Sequence, residues 1–134
     1  MFFVVQRATL LIPSGPPNDP DRKHLFICVT DPVGVERETL IVPVSTLVTG
    51  LPHDPACRLF AGDHPFIRRE SFVSYRQAQV QAAAKIERGV KEGRLIAHDI
   101  LDGAIFARVC LGLTESRFVP PSVLAFYRAA TGHG

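Results

Sequence analysis

Four short segments carry the side chains that could do chemistry. Asp21-Arg22-Lys23-His24 sets a carboxylate, a guanidinium, an ammonium and an imidazole in a row. An arginine fork grips two phosphate oxygens, a lysine acts as a point charge, and a histidine exchanges a proton near neutral pH. The cluster reads either as a phosphate clamp or as the solvated entrance to a strand. Ser45 and Thr46 end an apolar run. A hydroxyl there orients a phosphate or a ribose 2′-hydroxyl, or else it caps and turns the chain toward Leu47. Phe66-Ile67-Arg68-Arg69-Glu70, followed by Ser71-Phe72-Val73-Ser74-Tyr75-Arg76, mixes arginine with aromatic rings. That is the composition of a single-stranded RNA groove, where bases stack on rings and guanidinium groups meet phosphates. Core aromatics flanked by surface arginines have the same composition. Arg69, Tyr75 and Arg76 are the RNA-binding candidates of this segment, beside Lys23, His24 and Thr46. Finally, His53, Cys57 and His64 with Asp54 are zinc-type ligands close together in the chain. Their spacing fits no short zinc motif and Asp54-Pro55 is ordinary turn chemistry, so a plain loop is the leading reading and a metal site the alternative.

The elements that must position these groups follow from periodicity. Residues 2–12 are rich in Phe, Val, Leu and Ile and predict one or two strands. Residues 13–23 form a proline-rich loop, long enough to suspect a function. Residues 24–30 and 38–44 are near-continuous apolar runs, as in strands buried on both faces, with Pro43 predicting an edge or a bulge. Residues 57–60 and 71–76 predict two more short strands. From Gln77 to Arg88 the alanine-rich sequence suits a helix, stopped by Gly89 or Gly93. Asp99 or Asp102 caps the next helix, whose stripe is Leu101, Ile105, Val109 and Leu113. Pro120-Pro121-Ser122 opens a last helix to about Ala130, with Val123, Phe126 and Tyr127 inward, and residues 131–134 are expected to fray. Strands first and helices last argue against a doubly wound fold. The expectation is a mainly β, α+β single domain over 1–134. It is a small, bent barrel of five or more strands over about 2–80, covered by helices over about 81–130.

Composition narrows the function further. A chain of 134 residues that is 46 % hydrophobic can build a core as one domain. With 15 basic and 13 acidic residues the net charge is +2, too balanced to announce a nucleic-acid binder but compatible with a local basic patch. Three cysteines without a Cys-x-x-Cys pair fit a reducing cytoplasm and no disulfide framework. The apolar start, broken by Gln6 and Arg7, reads as a strand and not as a signal peptide, and no run reaches membrane-spanning length. Gly-x-Gly-x-x-Gly, P-loop, His-Glu-x-x-His and Gly-x-Ser-x-Gly motifs are all missing, which removes several large enzyme classes.

Three segments in order resemble the PemK/MazF-like toxins, small SH3-like barrels that cleave RNA. In that family a Pro/Gly-rich loop leads to an Arg and then a strand of the type Arg-Pro-x-Leu-Val-Leu. Here Arg22 takes the Arg position, followed by Leu25-Phe26-Ile27-Cys28-Val29. Val42-Pro43-Val44-Ser45-Thr46 is similar to the family's Val-Pro-Val/Cys-Thr-Ser/Thr, with Ser45 at the usual Thr. Ser71-Phe72-Val73-Ser74-Tyr75-Arg76-Gln77 is similar to Ser-x-Val-x-x-x-Gln-x-Arg. The family's opening Gly-Asp-Ile/Val-Trp/Tyr is missing, no proline follows Arg22, and the helix from Pro120 is extra. Over about residues 5–115 the resemblance implies an SH3-like barrel and a metal-independent endoribonuclease that needs no cofactor. It implies Arg22 as charge stabiliser or acid and Ser45 as the hydroxyl that orients the phosphate. It also implies single-stranded RNA as substrate, a homodimer, a small antitoxin protein as partner, and no membrane. A non-catalytic barrel that binds protein or nucleic acid is the second expectation.

Overall fold

The apolar runs form strands, and every strand pairing is antiparallel. In the computed structural model, which describes residues 2–132, β1 spans Thr9–Pro13, β2 Lys23–Cys28, β3 Glu38–Thr46, β4 Arg58–Leu59, β5 Ser71–Val73, β6 Gln79–Ala82 and β7 Ile96–His98. The helices are α1 (Ala83–Lys91), α2 (Gly103–Glu115) and α3 (Pro121–Thr131). The sheet runs β4-β5-β3-β2-β1-β7, with β6 paired to β3 beside that path. This is the mainly β, α+β class expected from strands followed by helices.

β3 is the hub because it serves two partners along one side. Its residues 38–41 pair with β6 and its residues 44–46 with β5. Pro43 sits between these stretches, where its carbonyl accepts from the Ser74 N–H at 2.9 Å. Its missing N–H therefore costs no ladder bond. Pro43 marks a change of partner inside a central strand and not an edge, since β2 pairs along the other side with Phe26 opposite Pro43.

β2 is buried on both faces, as its unbroken apolar run requires. Leu25 and Ile27, with Val42 and Val44 of β3, join the core built by Val73, Tyr75, Val109, Leu113, Val123 and Tyr127. Leu10, Phe26, Cys28 and Ile41 form the opposite core, against Ala83 and Ile86 of α1. Each such side chain contributes about 1.5–3 kcal/mol when fully buried. Along the predicted stripe Leu101, Val109 and Leu113 are fully buried, while Ile105 packs at the margin. Asp102 caps α2, accepting from the N–H groups of Ala104 and Ile105 at 3.0 and 3.2 Å. Asp102→Ala is expected to cost about 1 kcal/mol, read as a lower urea midpoint at unchanged slope.

The two ends of the sheet are tied by one histidine. His64, in the loop between β4 and β5, lies 2.8 Å from the Asp99 carbonyl and 3.1 Å from the Thr9 hydroxyl through Nε2. The sheet thus curls until its β4–β5 end meets β1 and the residue after β7.

Four expectations are corrected. Residues 2–5 are not a strand: Ala8 N–H bonds the Val5 carbonyl, Gln6 N–H bonds Asp31, and Arg7 takes a φ of 76°, so a turn precedes β1. Residues 75–77 form a 3₁₀ turn and not the end of a strand. Gln79–Ala82 is a strand and not helix, because residues 38–41 offer it a ladder and pairing outweighs alanine propensity; α1 starts only at Ala83. β7 lies inside the span expected to be helical and pairs with β1. α1 ends before Gly93, whose φ of 80° suits glycine. α3 runs to Thr131 with Gly132 as its left-handed cap, and the expected fraying of 133–134 lies outside the described residues.

Candidate functional site

Ser45 is the point at which the sequence candidates gather. It is half-buried near the end of β3 and faces Phe72 across the β3–β5 ladder. Both line an open cleft of about 330 Å³, together with His53, Asp54, Ser74, Arg76 and Phe118. The His53 ring lies 5.6 Å from the Phe72 ring, and the Arg76 guanidinium lies 4.9 Å over the ring of Phe118. Arg76 has no ion-pair partner among the described residues. The cleft thus offers a hydroxyl, an imidazole and an uncommitted cation between two aromatic walls, a combination suited to a phosphate flanked by stacked bases.

The scaffold beneath explains why these groups stay put. From Ser74 to Gln77 only Tyr75 turns into the core, while Arg76 and Gln77 are exposed. Tyr75 is fully buried and its hydroxyl donates to the Val109 carbonyl at 2.6 Å. Burial drives its phenol pKa far up, so it stays a neutral donor. Its neighbour Arg76 is thereby fixed outward. Asp54 is buried, accepts the Ser116 hydroxyl at 2.6 Å and the Ala56 N–H at 3.0 Å, and Ser116 in turn accepts the Phe118 N–H at 3.0 Å. The His53 loop and the Phe118 platform are held to each other by one hydrogen-bonded chain.

The β2 side of Ser45 adds a second set of groups. The β2–β3 register ends with Leu25 opposite Val44; His24, the next residue, falls on the Ser45 face of the sheet by the pleat but does not itself line the cleft. His24 Nδ1 lies 2.7 Å from the Ser14 hydroxyl, and that hydroxyl donates to the Ile12 carbonyl at 3.0 Å. Because the hydroxyl's one proton goes to Ile12, we assign Nδ1 as the protonated nitrogen, which leaves the Nε2 lone pair free. Burial, and then the charge of Arg22, lower the His24 pKa below 6.5, so it is neutral at pH 7. Arg22 itself is exposed on the proline-rich loop, with Nε 3.4 Å from the Asp19 carboxylate, and it does not line the Ser45 cleft. Lys23 is exposed opposite Pro13.

The remaining candidates are placed elsewhere. Thr46 and Arg69 line a different cavity, since successive strand residues face opposite ways. Tyr75 cannot stack a base from within the core. The metal alternative is not assembled: His53 is in the Ser45 cleft, Cys57 is buried in the core, and His64 bonds Thr9 and Asp99. Among the described residues no three His, Cys, Asp or Glu side chains converge on a metal position. Sequence reasoning missed Phe118 and gave His53 only a metal role. An aromatic ring in the polar stretch between two predicted helices was the signal for Phe118.

No protein-family model matches this sequence, and no curated protein matches it. No helix among the described residues is long and apolar enough to cross a membrane.

Proposed function

We propose that this chain is an RNA-cleaving protein of the PemK/MazF-like kind, a metal-independent endoribonuclease acting on single-stranded RNA. What supports the reading most is one observation: Ser45, His53 and Arg76 share an open cleft walled by Phe72 and Phe118. The reaction is attack of a ribose 2′-oxygen on the adjacent phosphorus. The O2′–P bond forms, the P–O5′ bond breaks, and a 2′,3′-cyclic phosphate remains. Neutral His24 accepts the 2′-hydroxyl proton, His53 donates one to the leaving 5′-oxygen, and Arg76 neutralises the charge growing on the phosphoryl oxygens. Ser45 orients a non-bridging oxygen, and the two phenyl rings hold the flanking bases. A cytoplasmic homodimer restrained by a small antitoxin protein is part of the same proposal.

The test is incubation of the purified chain with end-labelled single-stranded RNA in excess EDTA. Fragments ending in a cyclic phosphate are expected. His53→Ala and Ser45→Ala are each expected to slow their appearance by about a hundredfold, at the level of a lost acid or a lost oxyanion donor. RNA that is bound but stays whole would transfer the proposal to the non-catalytic barrel.

A further inference from the structure

A second basic cavity, of about 600 Å³, lies on the opposite face of the β3–β5 end from the Ser45 cleft, within the size range of small-molecule sites. Ser45 and Phe72 pair toward the cleft; the next pair in the register, Thr46 and Ser71, points into this cavity. Arg68 and Arg69 stand at its wall with Phe66 and His98. No carboxylate of the described residues lines it. Neither arginine has an ion-pair partner among the described residues. The acid nearest in sequence, Glu70, is engaged by Arg58 of β4, so the two guanidinium charges are left unneutralised. The exposed Thr46 hydroxyl lines the same cavity, while the buried Ser71 hydroxyl donates to the Arg69 carbonyl at 2.9 Å and holds that backbone in place. Beside them, the Phe66 and His98 rings stand 6.0 Å apart, edge to face, with His98 in turn against His64 at 4.8 Å.

We infer that this cavity is a nucleotide site, which takes a terminal phosphate on Arg68 and Arg69 and a base on the Phe66–His98 wall. The chemistry is that of a nucleoside monophosphate, either free or as the 5′-phosphorylated end of an RNA strand. Two uncompensated guanidinium forks beside the Thr46 hydroxyl match a phosphate dianion better than the single charge of an internal diester. The exposed ring supplies a sequence-tolerant surface for a base. The inference stands apart from the reading of the Ser45 cleft and survives or fails without it.

Amide NMR spectra of the full chain are recorded during titration with inorganic phosphate, with AMP, and with a short 2′-O-methyl oligonucleotide carrying either a 5′-phosphate or a 5′-hydroxyl. The methylated strand cannot be cut, so the result is independent of any nuclease. AMP is expected to move the amides of Thr46, Phe66, Ser71 and His98, and to bind about tenfold or more tightly than inorganic phosphate. Arg68→Ala/Arg69→Ala, two exposed positions, is expected to weaken AMP by at least about tenfold. Phe66→Ala is expected to reduce AMP to the level of phosphate. Response to AMP identifies a free nucleotide as ligand; response only to the 5′-phosphorylated strand identifies an RNA end. No shift at these amides with either, equal affinity for AMP and phosphate, or full affinity in the double-arginine variant overturns the assignment.

Discussion

Arg76→Ala is expected to slow cleavage of single-stranded RNA by about a hundredfold or more, with the unfolding midpoint unchanged. The stability half follows from exposure. The Arg76 side chain makes a stacking contact with Phe118 but no ion pair among the described residues, and the segment is anchored by its buried neighbour Tyr75. The rate half follows from what the cation is free to do. A guanidinium already bound to a carboxylate gains little from a phosphate, whereas an uncommitted one meets the full charge of the phosphorane. Arg22 is the contrasting case. It is exposed and partnered by Asp19 at 3.4 Å, so Arg22→Ala is expected to have the smaller effect, through loss of its pull on His24. Arg76→Lys keeps the charge and loses the fork and the stacking, and is expected to restore only part of the rate. The measurement is single-turnover cleavage of a labelled RNA by the three variants beside the parent. Full activity in Arg76→Ala with loss in Arg22→Ala would move the stabilising charge to the β2 side of Ser45.

The strands were legible wherever apolar residues ran on without interruption. Residues 24–30 and 38–44 have to be covered on both faces, and the two cores around β2 and β3 do that. A cap at Asp99 or Asp102 was legible because the side chain has a local job, and the fold selects Asp102; the segment of Tyr75 was open between an RNA-stacking ring and a core aromatic, and burial selects the core. Long-range pairing was invisible. Gln79–Ala82 has helical composition, and only the ladder offered by residues 38–41, far away in the chain, makes it a strand. Ile96–His98 is too short to carry a period at all. The same blindness divided the candidate site. Ser45 and Thr46 are adjacent letters, but the pleat sends them to opposite faces and into different cavities. His53, Arg76 and Phe118 are far apart in sequence, and only the fold brings them to Ser45. The order of the motifs pointed to the end of β3, while the grouping of side chains around it depended on register and on loops that no local pattern specifies.

His64→Ala is expected to cost about 3 kcal/mol at pH 8, with a smaller difference in mild acid. His64 is 2 % exposed and its Nδ1 accepts the Phe66 N–H at 3.0 Å, so the proton of the neutral ring sits on Nε2, facing the Asp99 carbonyl at 2.8 Å. The Thr9 hydroxyl gives its own proton to the same carbonyl at 2.5 Å and accepts from the ring. Every polar atom at this junction is satisfied only while His64 is neutral. A second proton would have to occupy Nδ1, where the Phe66 N–H already points. Burial lowers the His64 pKa below its ordinary 6.5, and neighbouring His98 adds to this, while the Asp99 carbonyl and then its carboxylate oppose it. The native state therefore binds fewer protons than the unfolded chain below pH 6.5. The stability His64 contributes is complete above that pH and falls as the solution is acidified toward its folded pKa. His24, whose pKa is also lowered, adds a slope of the same sign to parent and variant alike. The specific signature is thus the difference between them: urea midpoints of parent and His64→Ala are furthest apart near pH 8 and draw closer below 6.5. Parallel midpoint curves across that range would mean that the histidine does not titrate between the folded and unfolded states, and that its role at the junction is packing alone.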